Sequence, residues 1–98
     1  MKILALEKEL PGGTAEAFQP LLKAEARQIW ELQQSGKLRE IYFHQTGHTA
    51  VLVLECKGVE EARQLLAGLP LVAGGFIEFE ILPLVPYDGF ARLFAEQT

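Results

Sequence analysis

Gly47–Pro70, GHTAVLVLECKGVEEARQLLAGLP, narrows the architectures open to this chain further than any other stretch. It reads as a turn, a strand apolar at nearly every position, a glycine break, and an amphipathic helix closed by Gly-Leu-Pro. A strand apolar on both faces needs cover on both sides, and a domain of 98 residues has few layers to supply it. The expectation is a sheet with helices on one face and a second subunit on the other. Composition agrees: 49% hydrophobic residues and a mean hydropathy of +0.13 leave more apolar surface than one small core absorbs.

The flanking sequence supplies matching elements. Residues 2–8 (KILALEK) read as a strand, and Pro11-Gly12-Gly13 breaks it. Thr14 is placed to cap a helix, with Glu16 in the first turn, where the helix dipole favours an acid. Helical apolar spacing through Phe18, Leu22 and Ile29 carries this helix over 15–35, with at most a local kink at Pro20 and Gly36 as its left-handed terminator. Residues 38–44 and 49–56 form the second and third strands around a Gln45–His48 hairpin turn. A helix over 59–68 follows, with Val59, Ala62, Leu66 and Leu69 on one stripe and Pro70 as its stop; a strand over 76–82 completes the set.

The order β-α-β-β-α-β predicts an α+β, ferredoxin-like fold, a four-stranded antiparallel sheet with two helices on one face. Residues 1–83 form this domain. Residues 84–98 form a C-terminal arm, with a helical turn over Gly89–Phe94. Leu84, Val85, Tyr87, Phe90, Leu93 and Phe94 make the arm too apolar to stand in water, so it is expected to pack on a neighbouring subunit. A homodimer or higher homo-oligomer is the expected state.

A net charge of -4 and a pI near 5.1, without any Lys/Arg-rich run, argue against nucleic acid as a partner. The single cysteine, Cys56, cannot form an internal disulfide and is expected to be reduced and buried at a strand end. Met1 leads straight into ILAL with no secretory-signal pattern, and no apolar run approaches the roughly 20 residues of a membrane span. A cytoplasmic protein with no membrane partner is expected.

Alternation along the strands sorts side chains into two sets. If Leu4, Leu6, Ile41, Phe43, Leu52, Leu54, Ile77, Phe79 and Ile81 pack on the helices, the other face carries Glu7, Glu40, Tyr42, His44, Glu55, Glu78 and Glu80. Carboxylates, a phenol and an imidazole around a half-enclosed space make a candidate acid/base pocket for a small-molecule ligand. The competing reading is a solvated rim with inter-subunit ion pairs. In the pocket reading His44 is the base near neutral pH, with Tyr42 and Glu25 as further catalytic candidates, and Arg39 binds a substrate carboxylate. His48 joins the binding surface, and Lys23 and Trp30 on the first helix are either a pocket wall or an exposed face. His44 and His48 also invite a metal reading with a glutamate as third ligand. A pair spanning a strand end and a turn, with one cysteine and no third histidine, gives an incomplete set, so neither metal nor cofactor is expected.

The stretch from Leu32 to Pro86 resembles the muconolactone delta-isomerase family. The matching residues are Leu32-Gln33, Gly36, Arg39, Gly47-His48, Val59-Glu60, Leu69-Pro70-Leu71, Ile77-Glu78 and Pro86, with Lys23-Ala24-Glu25 extending the match. The resemblance implies a ferredoxin-like fold whose sheets pair into a dimeric α/β barrel, and a cofactor-free double-bond migration in an unsaturated lactone. It also implies a first-helix glutamate for proton transfer, assisted by a tyrosine and an asparagine at the start of the third strand. Those positions fall on Ala26, Thr49 and Val51, of which only Thr49 keeps a polar group able to bind substrate. Glu25 lies one residue away, about 100° around the helix, and substitutes as base only if the helix is rotated. The expectation is therefore a muconolactone-isomerase-like small-molecule-binding protein, as an enzyme one of acid/base chemistry on an unsaturated lactone or related metabolite. The alternatives are a non-catalytic oligomerisation or ligand-sensing module, and a haem-binding or cofactor-free monooxygenase on the same scaffold.

Overall fold

A computed structural model of the chain describes residues 1–95; the last residues of the arm, 96–98, lie outside the described residues. The elements are β1 (Lys2–Glu9), α1 (Ala15–Phe18), a 3-10 turn (Gln19–Leu21), α2 (Leu22–Gln34), β2 (Leu38–Phe43), β3 (Ala50–Glu55), α3 (Val59–Ala67), α4 (Pro70–Ala73), β4 (Ile77–Pro83) and a terminal 3-10 segment (Gly89–Leu93). The strands form one antiparallel sheet in the order β2-β3-β1-β4. This is the ferredoxin-like α+β arrangement, with the helices on one face.

Local chemistry explains most boundaries. The Thr14 hydroxyl accepts from the Ala17 N–H at 3.1 Å and caps α1. Pro20 does more than kink the expected helix: without an N–H to donate, it divides the helix into α1 and α2 through the 3-10 turn. Gly36 ends α2 with φ +82°. Pro70 starts α4 rather than merely stopping α3, while Leu69 before it stays extended.

The core lies between sheet and helices. Ile3, Leu38, Leu52, Leu54, Leu69 and Ile77 are essentially solvent-free, each burial contributing about 1.5–3 kcal/mol, and Cys56 is a buried free thiol. Two strand faces differ from the expected sorting. In β1 it is Ile3, Ala5 and Glu7 that point toward the helices, while Leu4 and Leu6 point away, as the pairing of Ile3 with Leu54 and Ala5 with Leu52 requires. In β2 a bulge at Arg39 lets Leu38 pair with Leu54 and Glu40 with Val53, so Leu38 and Ile41 both face the core. The open face consequently has an apolar centre, Leu4, Leu6, Val51, Val53 and Leu82, edged by Glu40, Tyr42, Glu78, Glu80 and Lys8.

Beyond β4 the chain leaves the body, tied back by the Leu84 N–H to the Lys2 carbonyl at 2.9 Å. The resulting extents of 62 × 29 × 21 Å and radius of gyration of 16.7 Å exceed the roughly 13 Å of a compact chain this long. Val85, Tyr87, Leu93 and Phe94 on this arm are 69–84% exposed. No helix is long and apolar enough to cross a membrane among the described residues.

Candidate functional site

A cavity of about 450 Å³ opens between the sheet and the α1–α2 segment, within the size range of small-ligand sites. It sits where β1 and β2 end and β3 and β4 begin, the opposite end of the sheet from the arm's departure. Phe18, Leu22, Ile29, Ile41, Leu52, Leu71 and Phe79 supply its apolar walls; Glu7, Glu9, Gln19, Glu25 and His48 supply its polar side chains. The loop before α1 is drawn over the sheet by the Leu10 N–H bonding the Phe76 carbonyl at 3.0 Å. Gly13 permits that approach, since a Cβ there would lie 2.6 Å from the Phe76 oxygen. Phe18 then packs on Phe76 with ring centroids 6.2 Å apart, fixing this wall.

Glu25 projects from α2 into the cavity, half-buried, and its Oε1 accepts from the Leu71 N–H at 2.9 Å. That N–H is one of the donors left unpaired in the first turn of α4, so the carboxylate also holds α4 against α2. Burial pushes the Glu25 carboxyl above the ordinary carboxylate range; the Leu71 N–H opposes this, and the neighbouring Glu7 charge adds to it. Ala26 beside it is exposed. Glu7 enters from the end of β1, where the ladder with β3 ends at Leu6 and Val51, and its Oε1 accepts from the Ala50 N–H at 2.9 Å. Each carboxylate thus spends one oxygen on a backbone donor. Among the described residues the other oxygen of each has no hydrogen-bond or ion-pair partner.

His48 reaches the cavity from the β2–β3 turn. Its ring stacks on Phe43, centroids 4.0 Å apart and planes 18° from parallel. Its backbone takes a left-handed φ of 54°, a conformation expected of Gly47 beside it but adopted by the histidine. The turn is braced by the His48 N–H to the His44 carbonyl and the His44 N–H to the Thr49 carbonyl, both 2.8 Å.

Of the residues singled out in the sequence, the structure brings together Glu7, Glu25 and His48. His44 is exposed, and its Nδ1 accepts from the Thr46 and Gly47 N–H groups at 3.2 and 3.0 Å, so that lone pair is spent on the turn. Tyr42 lies on the open face and donates to Glu40 Oε1 at 2.7 Å, a bond that raises the phenol's pKa. Arg39 occupies the bulge, its Nε donating to the Gly36 carbonyl at 2.6 Å. Lys23 and Trp30 are exposed on α2, Thr49 is half-buried in the turn, and none of the three lines the cavity. No three metal-ligating side chains converge among the described residues.

The polar candidates therefore divide. Those expected together on one sheet face are spread over the open face and the turn, and the acids that converge do so on the helix side. Alternation alone does not place Glu7, because leucine, isoleucine and alanine occupy both parities of KILALEK and no signal in that strand decides which parity is covered.

Comparison with known proteins adds the following. The family model described as muconolactone delta-isomerase matches residues 5–89. No curated protein matches the sequence significantly. A solved structure of muconolactone isomerase is similar with TM-score 0.70 and 21% identity, over 90% of this chain and 92% of that one. A 5-chloro-2-hydroxyhydroquinone dehydrochlorinase from Burkholderia phenoliruptrix AC1100, in complex with 2,5-dihydroxybenzoquinone, is similar with TM-score 0.71 and 15% identity, over 91% of this chain and 98% of that one.

Proposed function

The chain belongs to the muconolactone delta-isomerase family, and we propose that it moves a proton on a small ring substrate without a cofactor, with Glu25 as the general base. The observation that carries this is the Glu25 carboxylate, half-buried in the cavity and anchored by one oxygen to the Leu71 N–H. Anchoring fixes the side chain's direction, and partial desolvation makes the ionised form a stronger base than a surface glutamate. Its free oxygen takes a proton from a carbon activated by a neighbouring carbonyl. The C–H electrons move into the conjugated system, and the same carboxyl returns the proton to a different carbon, so the double bond shifts with no net gain or loss of atoms. Both structural neighbours are named for chemistry on small rings, which supports an unsaturated lactone or related ring as the substrate size.

We place the same chemistry in a homodimer or larger homo-oligomer. The open sheet face and the exposed arm are the two apolar surfaces that support it.

The test is deuterium incorporation followed by NMR, in heavy water, over a panel of unsaturated lactones and cyclic enones that includes muconolactone. The wild-type protein is expected to exchange at least one member. Glu25→Gln keeps an acceptor for the Leu71 N–H but removes the base, so exchange should fall about 10²–10⁴-fold. Unchanged exchange in the variant, or none in the wild type across the panel, refutes the assignment.

A further inference from the structure

The charges lining the cavity are of one sign. Glu7, Glu9 and Glu25 line it with His48, and no lysine or arginine does among the described residues. Arg39, the residue suited to hold a substrate carboxylate, is turned to the Gly36 carbonyl at the β2 bulge instead. Lys23 is exposed on α2, outside the cavity walls. Glu7 and Glu25 each hold one oxygen on a backbone N–H and leave the other unpaired. Two fixed acceptors in apolar walls make a site that rewards hydrogen-bond donors and repels a second carboxylate.

From this placement we infer that the ligand of the cavity is a neutral ring bearing hydroxyl or enol donors, and that rings carrying a carboxylate are excluded. The inference rests on the cavity being the substrate site, and it narrows the substrate class proposed there. Muconolactone is itself an acid, so this chain's substrate differs from the one its family is named for. A donor of such a ring bonds the free oxygen of Glu7, while the free oxygen of Glu25 faces the ring carbon it deprotonates. The ring faces lie against Phe18, Ile29 and Phe79, and the His48–Phe43 stack edges the site. A carboxylate brought to the same place would meet like charges where water no longer screens them fully, with no lysine or arginine among the described wall residues to compensate.

The inference is tested by calorimetric titration of the full-length protein at pH 7 with three matched probes: resorcinol, 3,5-dihydroxybenzoate and 1,3-dimethoxybenzene. Resorcinol should bind, 3,5-dihydroxybenzoate should bind roughly tenfold or more weakly because of like-charge repulsion, and 1,3-dimethoxybenzene should bind about fivefold or more weakly because it has no donor. In a Glu7→Gln/Glu25→Gln double variant the gap between resorcinol and the benzoate should close to about threefold or less, as the repelling charges are gone. Benzoate binding equal to or tighter than resorcinol overturns the inference. So does equal binding of the dimethoxy probe, or no resorcinol binding at about 10 mM, the weak end for a fragment of this size. These outcomes are separable from failure of the proton-transfer reading. The predicted ranking with exchange unaffected by Glu25→Gln keeps the ligand class and removes the base, and Glu25-dependent exchange with a favoured benzoate does the reverse.

Discussion

His48 carries two separable burdens, and two substitutions at this one position should divide them. Its backbone sits at φ 54°, where an L side chain costs about 1–2 kcal/mol relative to glycine. Its ring returns part of that through the stack on Phe43, about 0.5–1 kcal/mol for a pair exposed at the surface. His48→Gly loses the stack and relieves the backbone, so folding stability should stay within about 1 kcal/mol of wild type. His48→Val loses the stack and puts a β-branched residue in a region that such residues almost never enter, costing about 1.5–2 kcal/mol. The two variants should therefore differ by roughly 10 °C in Tm for a domain of this size. Both remove the imidazole from the cavity, so resorcinol affinity should fall in both by a similar factor. Urea denaturation followed by circular dichroism, at one fixed protein concentration to hold any association constant, measures the stabilities; calorimetry measures the affinities. Equal destabilisation in both variants would refute the backbone argument. Unchanged affinity in both would remove His48 from the binding site.

Two further outcomes are expected. A general base must be ionised to act, and the Glu25 carboxyl lies above the usual range, chiefly through burial with an addition from Glu7. The acidic limb of the pH–exchange profile should therefore lie above the ordinary glutamate value of about 4.3, and Glu7→Gln should move it downward; a limb at the ordinary value, or one that Glu7→Gln leaves in place, speaks against the pair. The same elevation means that ionised Glu25 destabilises the fold, so the stability of Glu25→Gln relative to wild type should grow as pH rises from near 4 through the folded-state value and then level off. For the arm, deletion of 84–98 should lower the association state seen in sedimentation velocity, and an unchanged profile would place the subunit contacts elsewhere.

The fold was legible because its signals were local and redundant. Thr14, Gly36 and Pro70 mark element ends by chemistry that acts within a few residues, and the β-α-β-β-α-β order leaves few topologies open. The site was not, because it depends on parities and phases that alternation alone cannot supply. In β1 both parities are apolar, so only pairing of Ile3 and Ala5 with Leu54 and Leu52 reveals which side the helices cover and carries Glu7 with it. In β2 one extra residue at Arg39 resets the alternation midway, which a strict two-residue period cannot anticipate. In the β2–β3 turn the left-handed position fell to His48 although glycine stood next to it, because the turn is also closed by the His44 carbonyl and ring.

The helix phase is the most consequential of these. An α-helix advances about 100° per residue and a 3-10 helix about 120°, so the three residues Gln19–Leu21 add roughly 60° of rotation relative to an unbroken helix over 15–35. Sixty degrees is more than half of the step separating Glu25 from Ala26. Measured from α1, Glu25 thus stands nearer to the direction that residue 26 would take in an uninterrupted helix, and Ala26 is carried outward to solvent. The turn at Pro20 therefore carries Glu25 in the direction that its proposed role as base requires, by about 60° of the roughly 100° step.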